Sequence, residues 1–174
     1  ERRRHNLLRY WITLQGLAQP RTHQWAEIDK LLHARQDASP QVCWPGGALR
    51  RFKDGLYPVS VLPELAVPGI QLPLDGSQGT VKLPLGYLSI KQFQQSSSEE
   101  AVLRLKRPGD EFKPLGRSRK TLKKYLQEMD IPPWIRPYVP VVEFNGRLLW
   151  VAGLGVAEGC GEMIAEEAFV WCDF

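Results

Sequence analysis

The sequence predicts an α+β protein: an N-terminal helical hairpin with a small antiparallel sheet, followed by a small α+β domain in which a basic helix packs on a mostly antiparallel sheet. Three observations lead there. Apolar residues recur at helical spacing over about the first 36 positions, and residues 41–90 divide into short extended runs between Pro/Gly turns. From position 101 alternating runs resume on both sides of one helical stripe. The most polar stretch, Gln-Phe-Gln-Gln-Ser-Ser-Ser-Glu-Glu at 92–100, reads as a linker and sets the domains at 1–97 and 98–174, with the boundary at about Ser97.

In order, Leu7, Leu8, Trp11, Ile12 and Leu14 form the face of a first helix, Gly16 and Pro20 break it, and Thr22 caps a second helix carrying Trp25, Ile28, Leu31 and Leu32. Arg2, Arg3, Arg4 and Arg9 read first as a solvated face and second as an approach to RNA. A chain that opens Glu-Arg-Arg-Arg and runs straight into a helix looks cut from something longer. Strands are expected at 42–44, 49–52 and 56–59, separated by Pro45-Gly46-Gly47 and the hairpin pair Asp54-Gly55. Gly46-Gly47 is no phosphate loop, because no Lys-Ser/Thr follows. Residues 62–74 are proline-rich, and 80–90 add two extended pieces about Pro84-Leu85-Gly86 that close the first sheet.

The second domain opens with Val102-Leu103-Arg104-Leu105, alternating apolar and basic, and continues after the helical stretch with 139–144 and 148–151 flanking Asn145-Gly146, a type I′ turn pair. Residues 152–156 and 168–171 extend that sheet. Glu166 and Glu167 would point to opposite faces of such a strand, so they are not a carboxylate pair.

Composition sets the outer limits. At 174 residues and 43% hydrophobic, the chain can bury a core. No apolar run approaches the roughly eighteen residues of a membrane span, and positions 1–4 lack a signal-peptide core, so a cytoplasmic protein without membrane contact is expected. Cys43, Cys160 and Cys172 are odd in number and widely spaced, which predicts free thiols and no metal site. A Cys–His nucleophile would need His5, His23 or His33 to arrive by the fold alone, so no catalytic residue is assigned.

The stretch 107–140 is the most distinctive. Pro108-Gly109 and Pro114-Leu115-Gly116 are turns; from Ser118, the expected N-cap, Leu122, Tyr125, Leu126 and Met129 draw one helical stripe. Pro132-Pro133 stops that helix near Asp130 and starts a short one led by Pro133, with Trp134 anchored in the core. Residues 101–140 hold ten Lys/Arg against four acids, +6 in a chain of +4. Residues 141–174 hold six acids and one base, Arg147, so the domain is expected to have a basic front and an acidic back that steer RNA to one side. A loop of Arg/Lys in front of a basic helix suits phosphate contact, although a charged helix face is first of all a solvated one.

This stretch resembles the C-terminal signature of the bacterial tRNA(Ile)-lysidine synthetases: Pro108, Gly109, Phe112, Gly116, Arg117, Leu122, Lys123, Lys124, Gln127, Glu128, Pro132, Pro133, Trp134, Arg136 and Pro140 stand at matching places. Asn6 to Trp11 (Asn-Leu-Leu-Arg-Tyr-Trp) and Asp37-Ala38-Ser39-Pro40 resemble that family's first C-terminal domain, while from Ala157 no family pattern is visible. The resemblance implies a tRNA-recognising C-terminal part of an enzyme that uses ATP, with magnesium, to adenylate the wobble cytidine of a CAU-anticodon isoleucine tRNA before lysine displaces AMP. It implies tRNA as partner, and a homodimer of the parent enzyme fits it. The family's Ser-Gly-Gly-x-Asp-Ser phosphate loop is missing here, so this chain is expected to lack the ATP site, to hold no cofactor and to be inactive alone.

Carried over, the RNA-contacting candidates are Arg107, Arg117, Lys123, Lys124 and Arg136, with Lys113, Arg119 and Lys120 added as neighbours. Arg136 has a second reading, a helix cap or a partner of Asp130. Phe112, Leu122 and Trp134 read as core. Two readings of other classes stand beside RNA recognition: an interaction module docking an acidic partner through its basic helix, and a small hydrolase built on Cys43 or Cys160.

Overall fold

The computed structural model describes residues 2–35, 40–65, 69–72, 79–91, 101–160 and 169–172, and it is α+β with mostly antiparallel sheets. The chain divides into two compact units, Glu1–Leu62 and Pro63–Phe174. The sequence sets a boundary at about Ser97, which lies outside the described residues. The division comes earlier because strands formed before that point pair with strands formed after it.

In the first unit, α1 (Arg2–Leu14) and α2 (Gln24–His33) precede a meander of β1 (Gln41–Trp44), β2 (Gly47–Phe52) and β3 (Gly55–Val59). Leu8, Ile12, Trp25, Ile28, Leu31, Val42, Trp44 and Leu49 share one core, which is why both helices are amphipathic. The expected cap Thr22 is not the cap; His23 holds that place without a side-chain bond. Gln24 does the tying instead: its Oε1 accepts from the Arg21 N–H at 2.7 Å, and its Nε2 donates to the Cys43 carbonyl at 2.7 Å. At the far end of α2, Arg51 donates to the carbonyls of Leu32 at 2.8 Å and Ala34 at 2.6 Å, satisfying groups a helix end leaves open. The β2–β3 turn is Lys53-Asp54, one residue earlier than expected; Gly55 already pairs with Phe52.

The second unit carries a five-stranded antiparallel sheet in the order β12 (Gly155–Val156), β11 (Arg147–Val151), β10 (Pro140–Phe144), β7 (Ala101–Leu105), β4 (Ile70–Leu72). Asn145-Gly146 turns β10 into β11 with both residues at positive φ, as a type I′ hairpin requires. β5 (Gly79–Leu83) and β6 (Gly86–Ile90) form the expected hairpin, but they do not close the first sheet. They make a separate sheet with β13 (Phe169–Cys172), which pairs with β6 rather than extending β11–β12. Leu103, Leu122, Leu126, Val141, Val142 and Val151 are the innermost members of this unit's core.

Arg104 corrects the alternation read for β7. It is not on a solvent face but 6% exposed, and its guanidinium binds both oxygens of Asp110 at 2.9 Å while Nε reaches Glu143 at 2.6 Å. Asp110 also accepts the Arg107 N–H at 2.7 Å, closing the turn at Pro108-Gly109, and its carbonyl receives the Leu122 N–H at 2.8 Å. Burial works against the charge of Arg104, and the bonds from Asp110 and Glu143 outweigh it, raising its pKa; burial likewise pushes Asp110 up, but Arg104 and the Arg107 amide hold it below the usual carboxylate value.

Two outcomes follow from this clamp. Arg104→Ala strands two carboxylates in a largely buried site and should cost about 3–5 kcal/mol, read as lost hydrogen-exchange protection of the β7 and β10 amides. Unchanged protection would mean the clamp contributes little. Because the folded pKa of Asp110 is lowered, its contribution is complete above the unfolded value of about 3.9 and is lost as pH falls through the folded one. Asp110→Asn should therefore flatten the acid limb of a stability–pH curve for this unit while lowering its neutral plateau.

Candidate nucleic-acid interface

The basic stretch is built as a short ribbon, a loop and a helix. β8 (Glu111–Phe112) pairs with β9 (Lys120–Thr121), so residues 113–119 become the loop that joins them. Backbone bonds stitch this loop to the chain after β11: Leu115 N–H donates to Val156 at 3.3 Å and Glu158 N–H to Lys113 at 2.8 Å. Gly116, at φ +70, takes the turn that Pro114-Leu115-Gly116 predicts. From the loop, the Ser118 carbonyl accepts the Tyr125 hydroxyl, which ties the loop to the helix.

That helix, α3, is short: Leu122–Glu128. Its cap is Thr121, not Ser118, with Thr121 Oγ1 accepting from the Lys124 N–H at 3.4 Å. Leu122, Tyr125 and Leu126 are buried as the stripe predicts, and Lys123, Lys124 and Gln127 are exposed on the other side. The chain restarts at a 3-10 turn, Arg136–Tyr138, not at Pro133. Trp134 is only half-buried, while the following Tyr138 and Val139 are buried, and the Tyr138 hydroxyl donates to the Pro63 carbonyl at 2.7 Å. Phe112, 2% exposed, is core as expected.

The eight candidate cations separate by what they touch. Lys113 is ion-paired with Glu158. Lys120 binds Glu128 at 2.8 Å and lies 5.2 Å from the centre of the Tyr125 ring; its hydrogen bond is the main reason the Glu128 carboxyl sits below its ordinary pKa. Arg136 is half-buried, donates from Nε to the Ile131 carbonyl at 2.8 Å and has its pKa lowered by burial, which makes it a brace for the Pro132-Pro133 loop rather than a partner of Asp130. The other five, Arg107, Arg117, Arg119, Lys123 and Lys124, are exposed and make no ion pair among the described residues.

The acidic tail does not form a separate back where it is described. Glu143 and Glu158 are drawn into the basic region by Arg104 and Lys113; Glu162, Glu166, Glu167 and Asp173 lie outside the described residues. Arg147, the tail's single base, lines a cleft together with Arg119 and Glu111. Neither Arg104 nor Arg147 is singled out by spacing, because their positions depend on partners many residues away.

In the first unit, Arg4 pairs with Asp29 at 2.7 Å and Arg9 lies over the Trp25 ring, while Arg2 and Arg3 are exposed. His5 also binds Asp29, and His33 meets the Asp29 carbonyl. Among the described residues neither Cys43 nor Cys160 has a histidine partner, and burial pushes the Cys160 thiol up, against the thiolate a hydrolase needs. No helix among the described residues is long and apolar enough to cross a membrane.

Residues 1–57 match the family described as the TilS substrate binding domain, and residues 101–171 match the TilS substrate C-terminal domain. Curated relatives extend the match across the rest. The tRNA(Ile)-lysidine synthase of Photobacterium profundum is 34% identical over 166 residues, covering 91% of this chain and 38% of that protein. The synthase of Coxiella burnetii is 34% identical over 170 residues, covering 90% and 37%, and that of Serratia proteamaculans 30% over 162, covering 90% and 37%. The chain thus spans less than two fifths of the length of these relatives. It belongs to the tRNA(Ile)-lysidine synthase family, of which it carries the substrate-binding and substrate C-terminal domains.

Proposed function

We propose that this chain is the tRNA-recognising part of a tRNA(Ile)-lysidine synthase and that the second unit grips the tRNA body and acceptor arm through phosphates. One observation carries this: of the eight candidate cations of the basic stretch, five are exposed and make no ion pair among the described residues, and they sit on a turn, a loop and a helix anchored to one core through Phe112, Leu122 and Leu126. Duplex RNA is recognised chiefly through phosphates, 2′-hydroxyls and shape, and a fixed set of separated cations suits such a target. Arg107, Arg117, Arg119, Lys123 and Lys124 are the phosphate contacts; Lys113, Lys120 and Arg136 contribute mainly by shaping the surface.

In this reading the ligase chemistry belongs to a catalytic domain that this chain does not carry. There ATP, with magnesium, transfers AMP to the C2 oxygen of the wobble cytidine with release of pyrophosphate, and the side-chain amine of lysine then displaces AMP. The present domains select which CAU-anticodon tRNA is presented to that chemistry, in the cytoplasm and, in the parent enzyme, as a homodimer.

The reading is tested by the affinity of the chain for a CAU-anticodon isoleucine tRNA and for an initiator tRNA with the same anticodon, over a salt series. The isoleucine tRNA should bind tighter, and Lys123→Ala and Lys124→Ala should each reduce the slope of log affinity against log salt by about 1. Lys113→Ala, removing an already paired cation, should change the slope least. Equal binding of both tRNAs, insensitive to Lys123 and Lys124, would overturn the proposal; stronger binding to an acidic polypeptide than to tRNA would replace it with a protein-docking role.

A further inference from the structure

Between the β8–β9 ribbon and the β10–β11 turn lies a cleft of about 700 Å³, within the ~300–1,000 Å³ range that ordinarily takes one small-molecule-sized group. Its charged lining is mostly neutralised: Arg104 is saturated by Asp110 and Glu143, and Lys113 is paired with Glu158. Arg119, from the loop, and Arg147, from the start of β11, line the same cleft, are exposed and make no ion pair among the described residues. Glu111 also lines it. The rim is open at its two glycine turns, for a Cβ added at Gly109 or Gly146 would meet nothing within 4 Å.

A duplex backbone cannot fill such a space. It is a stiff, convex array of phosphates, and Glu111 would repel a continuous phosphate track laid through the cleft. A concave site of this size is filled only by a group that has left the helical stack, and single-stranded nucleotides are recognised in that way. We propose that this cleft takes one unpaired nucleotide of a bound RNA, with its phosphate held between Arg119 and Arg147 and its base inside. The guanidinium planes offer stacking surfaces, and the Glu111 carboxylate can accept a hydrogen bond from an exocyclic amine. This rests on the RNA-binding reading above and adds to it a site for single-stranded RNA apart from the duplex-facing cations of α3.

The test uses the whole chain and three labelled RNA hairpins with the same stem: blunt, blunt with a 5′-phosphate, and carrying a short single-stranded 3′ overhang. The overhang hairpin should bind at least about fivefold tighter than the blunt one, the scale of one stacked base. Arg147→Gln should abolish that advantage, lower the salt slope for the overhang hairpin by about 0.7 and leave the blunt affinity unchanged. Arg119→Gln should weaken both hairpins, and an unchanged unfolding transition would show that each variant is folded. Equal binding of blunt and overhang hairpins would overturn the cleft assignment while leaving RNA binding intact, as would an advantage confined to the 5′-phosphate. Failure of all three hairpins to bind would overturn the RNA reading and this one together.

Discussion

The ion pairs of the buried Arg104 guanidinium are the interaction on which the second unit's candidate surface depends. The guanidinium leaves water at a cost, and the structure offsets that cost with three charge-assisted bonds, two to Asp110 and one to Glu143. Asp110 then passes the constraint on: its carboxylate closes the turn after Arg107, and its carbonyl fixes the first residue of α3. Lysine could not replace it, since a single ammonium cannot present a two-pronged face to one carboxylate and a third donor to another. The exposed cations are therefore positioned by a cation that is itself almost wholly withdrawn from solvent.

Charge counting does not distinguish these roles. Lys113, Lys120, Lys123 and Lys124 look alike in the sequence, yet the first two are bound by Glu158 and Glu128, one 45 residues away and one eight residues on, at the end of α3. Arg136 matches the family signature and still acts as a brace, because a guanidinium beside an open carbonyl at the end of a Pro-Pro turn gains more from that bond than from projecting outward.

What the sequence makes legible is local. The stripe of Leu122, Tyr125 and Leu126 and the Asn145-Gly146 hairpin are set by neighbours within a few residues, and both stand where the pattern puts them. The cap moves from Ser118 to Thr121 because the β8–β9 ribbon keeps the chain extended through Thr121, delaying the helix by one turn. The turn at Lys53-Asp54 shifts by one because register in the meander, not the Asp-Gly pair, decides which residues face each other. Strand partners are another matter. β4 pairs with β7 and β13 with β6 across 30 and about 80 residues, and nothing in either short run names its partner. For the same reason the burial of Arg104 and the placing of Arg119 and Arg147 on one cleft are invisible until the sheet is assembled.

The pairing of acids into the basic region bears on how such a surface selects its ligand. A continuous basic helix would hold any polyanion by charge density alone, with affinity set by the number of phosphates within reach and little regard for their arrangement. Here Glu158 and Glu128 remove Lys113 and Lys120 from that pool, the Ile131 carbonyl holds Arg136, and the five candidates that remain are separated along a turn, a loop and a helix tied to one core. Each isolated cation contributes only where a phosphate falls opposite it, so affinity depends on the spacing of the phosphates rather than their number. Neutralising part of the surface lowers non-specific binding more than it lowers binding to a matching array, because the matching array never needed the paired cations. If, as proposed above, the domain discriminates between RNAs of equal charge, the acids are as much a part of recognition as the arginines and lysines beside them.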